Sequence, residues 1–328
     1  MHYGLGPIGI AIVRQIAKRT GFRSVGGIDI DPAKADRDLG EVAGLPTALR
    51  APVFAAADAA FKRIKPDVVV LSTSSSLRTV LPQIEGILEA RVPIVSTTEE
   101  LSYPTGANRR IAGRIDKAAR KAKVAVLGTG VNPGFVMDAL PIALTGVCER
   151  VDWVTVDRIQ DAGIRRLPFQ QKIGAGLTAE QFLARVEAGT VRHVGLAESI
   201  SMIADALGWR LTRITDDIRP KIAERRISSD VITVEPGFVC GIVQDGIGYR
   251  GEERLIRLHM EAYLGAYESF DAVRIGGSPP LDMKLVGGVH GDIATASIVV
   301  NSIPKILNAP PGLHTMRTLP LPSFFAGK

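Results

Sequence analysis

Gly4-Leu5-Gly6-Pro7-Ile8-Gly9 stands near the start of the sequence, followed by Ile10, Ile12, Val13, Ile16 and Ala17 at helical spacing. The G-x-G-x-x-G pattern asks for glycine three times: for a tight turn, for close approach of backbone to a pyrophosphate, and for helix–strand contact. A helix over 8–19 then turns its unpaired amides toward the phosphates. Twenty residues after Gly9 comes Asp29, at the end of a strand expected over 24–30. An acid there meets the ribose 2′-hydroxyl. Without that acid the glycines are only a helix-capping turn; with it they define a dinucleotide cradle. Gly4, Gly6, Pro7, Ile8, Gly9 and Asp29 are therefore the first cofactor-binding candidates. Asp29 repels a 2′-phosphate and favours NAD, whereas Lys34 and Arg37 can neutralise one and admit NADP. Both cofactors stay open.

Working outward, only Met1, His2 and Tyr3 precede Gly4, where a first strand has about five or six residues. Either that strand is short or the native start lies upstream. Beyond the cradle, helices are expected over 33–43, 55–63, 79–90 and 109–122, and strands over 67–73, 92–97 and 124–127. A short segment starts at Pro52. This alternation means a parallel sheet with helices on both faces. After about Pro133 the pattern changes: strands are expected over 150–159, 230–240, 255–262 and 269–275, with helices over 179–188 and 198–207. The expected class is α/β, a Rossmann parallel-sheet domain (1–135) plus an α+β domain with a largely antiparallel or mixed sheet (136–290). A late helix over 292–307 and a Pro-rich tail belong to a last piece, 291–328.

Composition agrees with a folded two-domain chain. Of 328 residues, 46% are hydrophobic and 23% charged, while aromatics are only 5%, so the cores rest on Ile, Val, Leu and Ala, as in parallel sheets. The net charge of +6 comes from 40 bases and 34 acids. They are scattered, with no aromatic-interleaved basic patch, which argues against nucleic acid. The two cysteines, Cys148 and Cys240, fit no metal spacing and no disulfide scaffold. No apolar run long enough for a membrane and no signal peptide is visible, so the expected compartment is the cytoplasm, and no metal is expected.

Ligands of open α/β sheets bind beyond the carboxyl ends of the strands. Ser72 and Thr73, Glu99 and Glu100, and the stretch Gly128 to Asn132 all follow strands at that edge. A partly desolvated carboxylate there can shuttle a proton. Glu99 lies closer to the strand end than Glu100, and one of the two is expected to cap the next helical turn. Arg165, Lys172, Gly174 and Thr178 lie in a second basic, glycine-rich loop that can hold a substrate carboxylate. Asn132-Pro133-Gly134 reads as a turn, and His290, flanked by glycines, as a substrate-facing residue.

Three longer stretches, Val92 to Pro104 (V-P-I-V-S-T-T-E-E-L-S-Y-P), Gly128 to Asp138 (G-T-G-V-N-P-G-F-V-M-D) and Gly287 to Asp292 (G-G-V-H-G-D) with Val299 to Pro304, resemble the 2,4-diaminopentanoate dehydrogenase family. That family includes NAD(P)-dependent amine dehydrogenases; more remotely the layout is similar to dihydrodipicolinate reductase, although the adjacent His pair of those reductases is absent here. The resemblance covers nearly the whole chain. It implies oxidative deamination of a primary amine or diamino acid and, in reverse, reductive amination of a ketone or aldehyde with ammonia. It also implies a homodimer and a late helix packed back on the first domain. By it the catalytic glutamate lies in the S-T-T-E-E stretch, Asn132 holds the nicotinamide carboxamide, and Phe135 joins the substrate neighbours.

Overall fold

The structure, a computed structural model, describes residues 1–326. Of these, residues 1–135 and 290–326 gather into one compact unit and 136–289 into another.

In the first unit β1 (His2–Tyr3) leads through the glycine turn into α1 (Pro7–Ala17), followed by β2 (Gly27–Ile28), α2 (Leu39–Val42), β3 (Val53–Phe54) and α3 (Ala57–Arg63). Then come β4 (Val69–Leu71), α4 (Leu77–Glu89), β5 (Ile94–Ser96), α5 (Glu99–Ser102), α6 (Asn108–Ala122) and β6 (Ala125–Gly128). The strands are short, and β2 to β6 are buried throughout. The expected helix over 33–43 is mostly turn. Asp36 takes a positive φ of 60°, and the Asp38 carboxylate accepts from the amides of Gly40, Leu49 and Ala51 at 2.8 to 3.0 Å. A side chain that satisfies three backbone donors competes with the helix and wins.

In the second unit α7 (Ala139–Thr145), β7 (Arg150–Asp161), α8 (Leu167–Lys172), α9 (Ala179–Glu187) and α10 (Leu196–Ala206) precede a run of strands. These are β8 (Arg213–Ile222), the small pair β9 (Ile227–Ser228) and β10 (Thr233–Val234), β11 (Val239–Arg250), β12 (Glu253–Tyr263), β13 (Phe270–Ser278) and β14 (Leu281–Val286). The six-stranded sheet runs β14-β13-β7-β12-β11-β8, and it is mixed, since β12 and β7 pair in parallel while the other neighbours are antiparallel. The single strand expected over 230–240 is instead the two-residue β10 and the first residues of β11, and β8 and β14 had no counterpart in the sequence reading. Their alternating charges (Arg213-Ile-Thr-Asp-Asp-Ile-Arg, Leu281-Asp-Met-Lys) resemble a surface more than a sheet.

The chain then returns to the first unit as α11 (Gly291–Leu307) and β15 (Gly312–His314). α11 lies along α1, where Gln15 Nε2 donates to Ser297 Oγ at 3.0 Å and Arg19 to Asn301 Oδ1 at 2.6 Å. β15, inside the expected Pro-rich tail, adds a seventh parallel strand beside β6. The order is β15-β6-β5-β4-β1-β2-β3, the doubly wound sequence 3-2-1-4-5-6 with one strand added. Direction of winding reverses between β1 and β4, so a crevice opens where Gly4 and Ser72 leave their strands. One aliphatic cluster, with Leu77, Ile84, Ile87 and Ile115, fills one face; another, with Leu5, Val13 and Leu39, fills the other.

Candidate active site

The glycine turn is built around space. Gly4 has φ +93°, and a Cβ there would lie 2.6 Å from the Ser72 carbonyl oxygen. A Cβ on Gly9 would collide with the Gly4 carbonyl, so helix and strand meet only through glycine. Gly6, by contrast, has nothing within 4 Å of its Cβ position. Gly4 and Gly9 are therefore required by the protein's own packing, whereas Gly6 keeps a cradle clear at the N-cap of α1, where Pro7 occupies the first turn without wasting an amide. Ile8 follows within α1.

Asp29 closes the other side of this turn. Its carboxylate accepts from the Leu5 amide at 2.7 Å and the Asp31 amide at 2.9 Å. Burial alone would raise its pKa, but those two amides and Lys34 hold it below the usual carboxylate range. It therefore stays ionised. Lys34 Nζ sits 3.3 Å from Asp29 and 3.4 Å from Asp31, and Arg37 pairs with Glu41 at 2.7 Å. Ile30, which follows Asp29 directly, is 88% exposed; only that exposure of an apolar side chain beside the glycine turn marks it out.

The remaining carboxyl-edge loops are tied to one another. Ser72 Oγ donates to the Gly4 carbonyl at 3.0 Å, so it braces the turn, and Thr73 Oγ1 donates to Gln83 at 2.6 Å. Thr98 Oγ1 donates to the Ser74 carbonyl at 2.9 Å, joining the loops after β4 and β5. The Thr129 amide donates to Ser96 O at 2.9 Å, joining β5 to β6. Thr129 itself is buried, and its hydroxyl has no hydrogen-bond partner among the described residues. This orphan at the crevice edge, together with the open cradle at Gly6, fits a dinucleotide spanning both. Asn132 is buried nearby in the turn after β6, and Phe135 is half-buried at its end.

The two glutamates part company. Glu100 Oε2 accepts from the Leu77 amide at 2.7 Å and so caps α4. Glu99, half-buried at the start of α5, makes no side-chain hydrogen bond or ion pair among the described residues. One of the pair does cap a helix, although it is the neighbouring one rather than the next.

In the second unit, Thr178 caps α9 in a reciprocal capping box with Gln181, and a Cβ on Gly174 would strike the Phe182 ring at 2.5 Å. Both therefore have structural duties. Arg165 is buried with its guanidinium 4.2 Å over the Phe169 ring, while Lys172 is exposed at the end of α8. His290 is exposed at the N-cap of α11, its carbonyl accepting from Ala294 at 2.9 Å. Among the described residues no cluster of His, Cys, Asp or Glu is arranged to hold a metal ion, and no helix is long and apolar enough to cross a membrane.

A doubly wound sheet with this glycine turn at its switch point is the fold of an NAD(P)-dependent dehydrogenase, the class to which the chain belongs. Residues 135–328 match the family model of the 2,4-diaminopentanoate dehydrogenase C-terminal domain. The chain is 38% identical over 267 residues to 2,4-diaminopentanoate dehydrogenase of Acetoanaerobium sticklandii, covering 80% of this chain and 76% of that one. It belongs to the 2,4-diaminopentanoate dehydrogenase family. Its fold matches an amine dehydrogenase from Mycobacterium smegmatis with a TM-score of 0.88 at 23% identity, covering 100% of this chain and 97% of that one. A dihydrodipicolinate reductase from Paenisporosarcina, at 16% identity, shares it more loosely, with a TM-score of 0.53 and 96% of each chain covered.

Proposed function

We propose that the chain oxidises a primary amine of the diamino-acid class to an imine, which water converts to a carbonyl compound and ammonia. In reverse it aminates a ketone or aldehyde with ammonia. The observation that carries this reading is the contrast within Glu99-Glu100: one carboxylate is held by a helix amide, while its neighbour at the sheet edge is left unengaged. Bound in the cradle, the nicotinamide supplies the hydride acceptor. Glu99 takes a proton from the substrate ammonium, freeing the lone pair that drives hydride off the adjacent carbon. After releasing that proton to solvent, the same carboxylate takes a proton from the water that adds to the iminium and returns it to the nitrogen, which leaves as ammonia. Asn132 and Thr129 hold the carboxamide end of the cofactor.

Asp29 selects NAD over NADP in this reading. Lys34 and Arg37 are each neutralised by carboxylates, so a 2′-phosphate would meet an ionised acid without a spare cation. Arg165 and Lys172 receive a substrate carboxylate, and Phe135 and His290 shape the substrate's remaining contacts. We also assign a second copy of the chain to the open face of the six-stranded sheet. That face interleaves Asp157, Asp245 and Glu261 with Arg219, Arg257 and Arg274, a pattern that is complementary to itself when turned over. The free thiols Cys148 and Cys240 suit a reducing cytoplasm.

The test is NADH oxidation with 2-amino-4-oxopentanoate, with and without excess ammonia, for wild type and Glu99→Gln. Ammonia-dependent turnover that falls by about 10²- to 10⁴-fold in the variant is expected. Turnover without ammonia points instead to an imine or oxo reductase, and cofactor binding without any turnover to a dinucleotide sensor.

A further inference from the structure

Thr98 stands at the N-cap of α5, where a threonine hydroxyl ordinarily accepts from an amide of the first helical turn. Its side chain makes no such bond. Thr98 Oγ1 donates instead to the Ser74 carbonyl at 2.9 Å, in the loop after β4, and accepts from Ser96 Oγ at 3.0 Å. Ser96, the last residue of β5, accepts in turn from the Thr98 amide at 3.2 Å. Both side chains are fully buried, so each hydroxyl hydrogen has one destination. A helix cap is given up here for a brace between two loops.

On the other side of Glu99, the buried Ser102 donates its hydroxyl to the Glu99 carbonyl at 2.5 Å. α5 packs on the end of β6, and a Cβ on Gly128 there would lie 2.5 Å from the Leu101 carbonyl oxygen and 2.7 Å from the Ser102 amide nitrogen. The Glu100 amide donates to the Ser75 carbonyl at 3.3 Å, and its carboxylate accepts from the Leu77 amide at 2.7 Å. The backbone around Glu99 is thus tied on all sides, while its own carboxylate makes no hydrogen bond or ion pair among the described residues. One helical turn of four residues does not hold its shape by its own ladder, so these ties set its place. That place matters for a group that must meet a proton at hydrogen-bond distance, since a shift of about 1 Å can cost about a hundredfold in rate.

We propose that Thr98 and Ser102 are positioning residues, whose hydroxyls fix the backbone on either side of Glu99 so that its otherwise unheld carboxylate keeps one place at the sheet edge. The inference rests on the acid–base role of Glu99 and adds to it the two hydroxyls through which the fold delivers that role.

The experiment measures ammonia-dependent NADH oxidation with 2-amino-4-oxopentanoate, and NADH binding by fluorescence titration. It uses wild type, Thr98→Val, Thr98→Ser, Glu99→Gln and the double variant of Thr98→Val with Glu99→Gln. Valine keeps the shape of threonine and removes the hydroxyl. Expected in Thr98→Val is a fall in kcat of about ten- to a hundredfold, with KM and the NADH Kd unchanged, while the serine variant restores most of kcat. In the Glu99→Gln background the same change is expected to do almost nothing, because residues that act as a unit are not additive. An unchanged kcat in Thr98→Val, a KM or Kd that rises as kcat falls, or an equal further loss in the double variant overturns the proposal. Should Thr98→Val not fold, Ser102→Ala carries the same expectations, and an unchanged kcat there overturns it too. If Glu99→Gln is as active as wild type, or wild type shows no amination, the acid–base reading fails and the positioning of Glu99 with it. Activity lost in Glu99→Gln but kept in Thr98→Val overturns the positioning alone.

Discussion

In the first unit seven parallel strands of two to four residues are covered by helices on both faces; in the second, six strands of six to twelve residues carry helices on one face only. The short strands leave their polar groups at one edge, where loops converge on the crevice. The long strands instead place polar residues along their length, in ion pairs on the open face and in one buried row on the covered face. Chemistry in the first unit is thus a matter of strand ends, and in the second of cross-strand register.

The sharpest way to break this contrast is Arg158→Met, which leaves Asp271 on β13 buried without its partner, the Arg158 guanidinium on β7 at 2.5 Å. A loss of about 3–5 kcal/mol is expected by denaturant titration; a change under about 1 kcal/mol would mean the polar row is incidental. In the first unit Gly9→Ala forces a side chain against the Gly4 carbonyl and is expected to cost about 1–3 kcal/mol. Gly6→Ala, where space is open, leaves the melting temperature unchanged but weakens dinucleotide binding in a fluorescence titration. If both glycine variants lose stability alike, Gly6 serves the fold and not the cradle.

Acid separates the units less strongly. His193, in the loop between α9 and α10 of the second unit, has a folded-state pKa depressed by burial and by the charges of Lys172, Arg158 and Arg192, so the unfolded chain binds its proton first as pH falls. Its neutral form contributes fully above the unfolded value of about 6.5, and that contribution shrinks as pH falls from there toward about 3. Between pH 7 and pH 5 wild type should lose about 2 kcal/mol more than His193→Gln; equal losses would mean the ring is not shielded. The smallest effect belongs to a solvent-exposed pair on the helical surface. Breaking Arg114–Glu85 with Arg114→Ala should cost at most about 0.5 kcal/mol, and a larger value would show that surface charge stabilises the first unit too.

The glycine turn, Asp29 and the strand–helix alternation were legible because each follows a local rule: a spacing, a strand end, a period. The glutamate pair was legible as a pair but not as two roles, since only the fold brings the Leu77 amide to Glu100. The segment over 33–43 misled because Asp38 reaches amides eleven and thirteen residues away. β8 and β14 were hidden because their charged residues find partners on adjacent strands, as Arg219 does with Asp245 on β11 and Arg274 on β13 with Asp282.

By itself the sequence determined the parallel α/β class, the cradle and its acid, and the family resemblance, all carried by residues close together along the chain. Only the tertiary structure decided which glutamate is left unengaged, which cations are already neutralised, and that Arg158 and Asp271 meet as a buried pair across the second sheet. Those properties depend on what lies across a sheet, tens of residues away, where burial and partner geometry set the energy of a polar group.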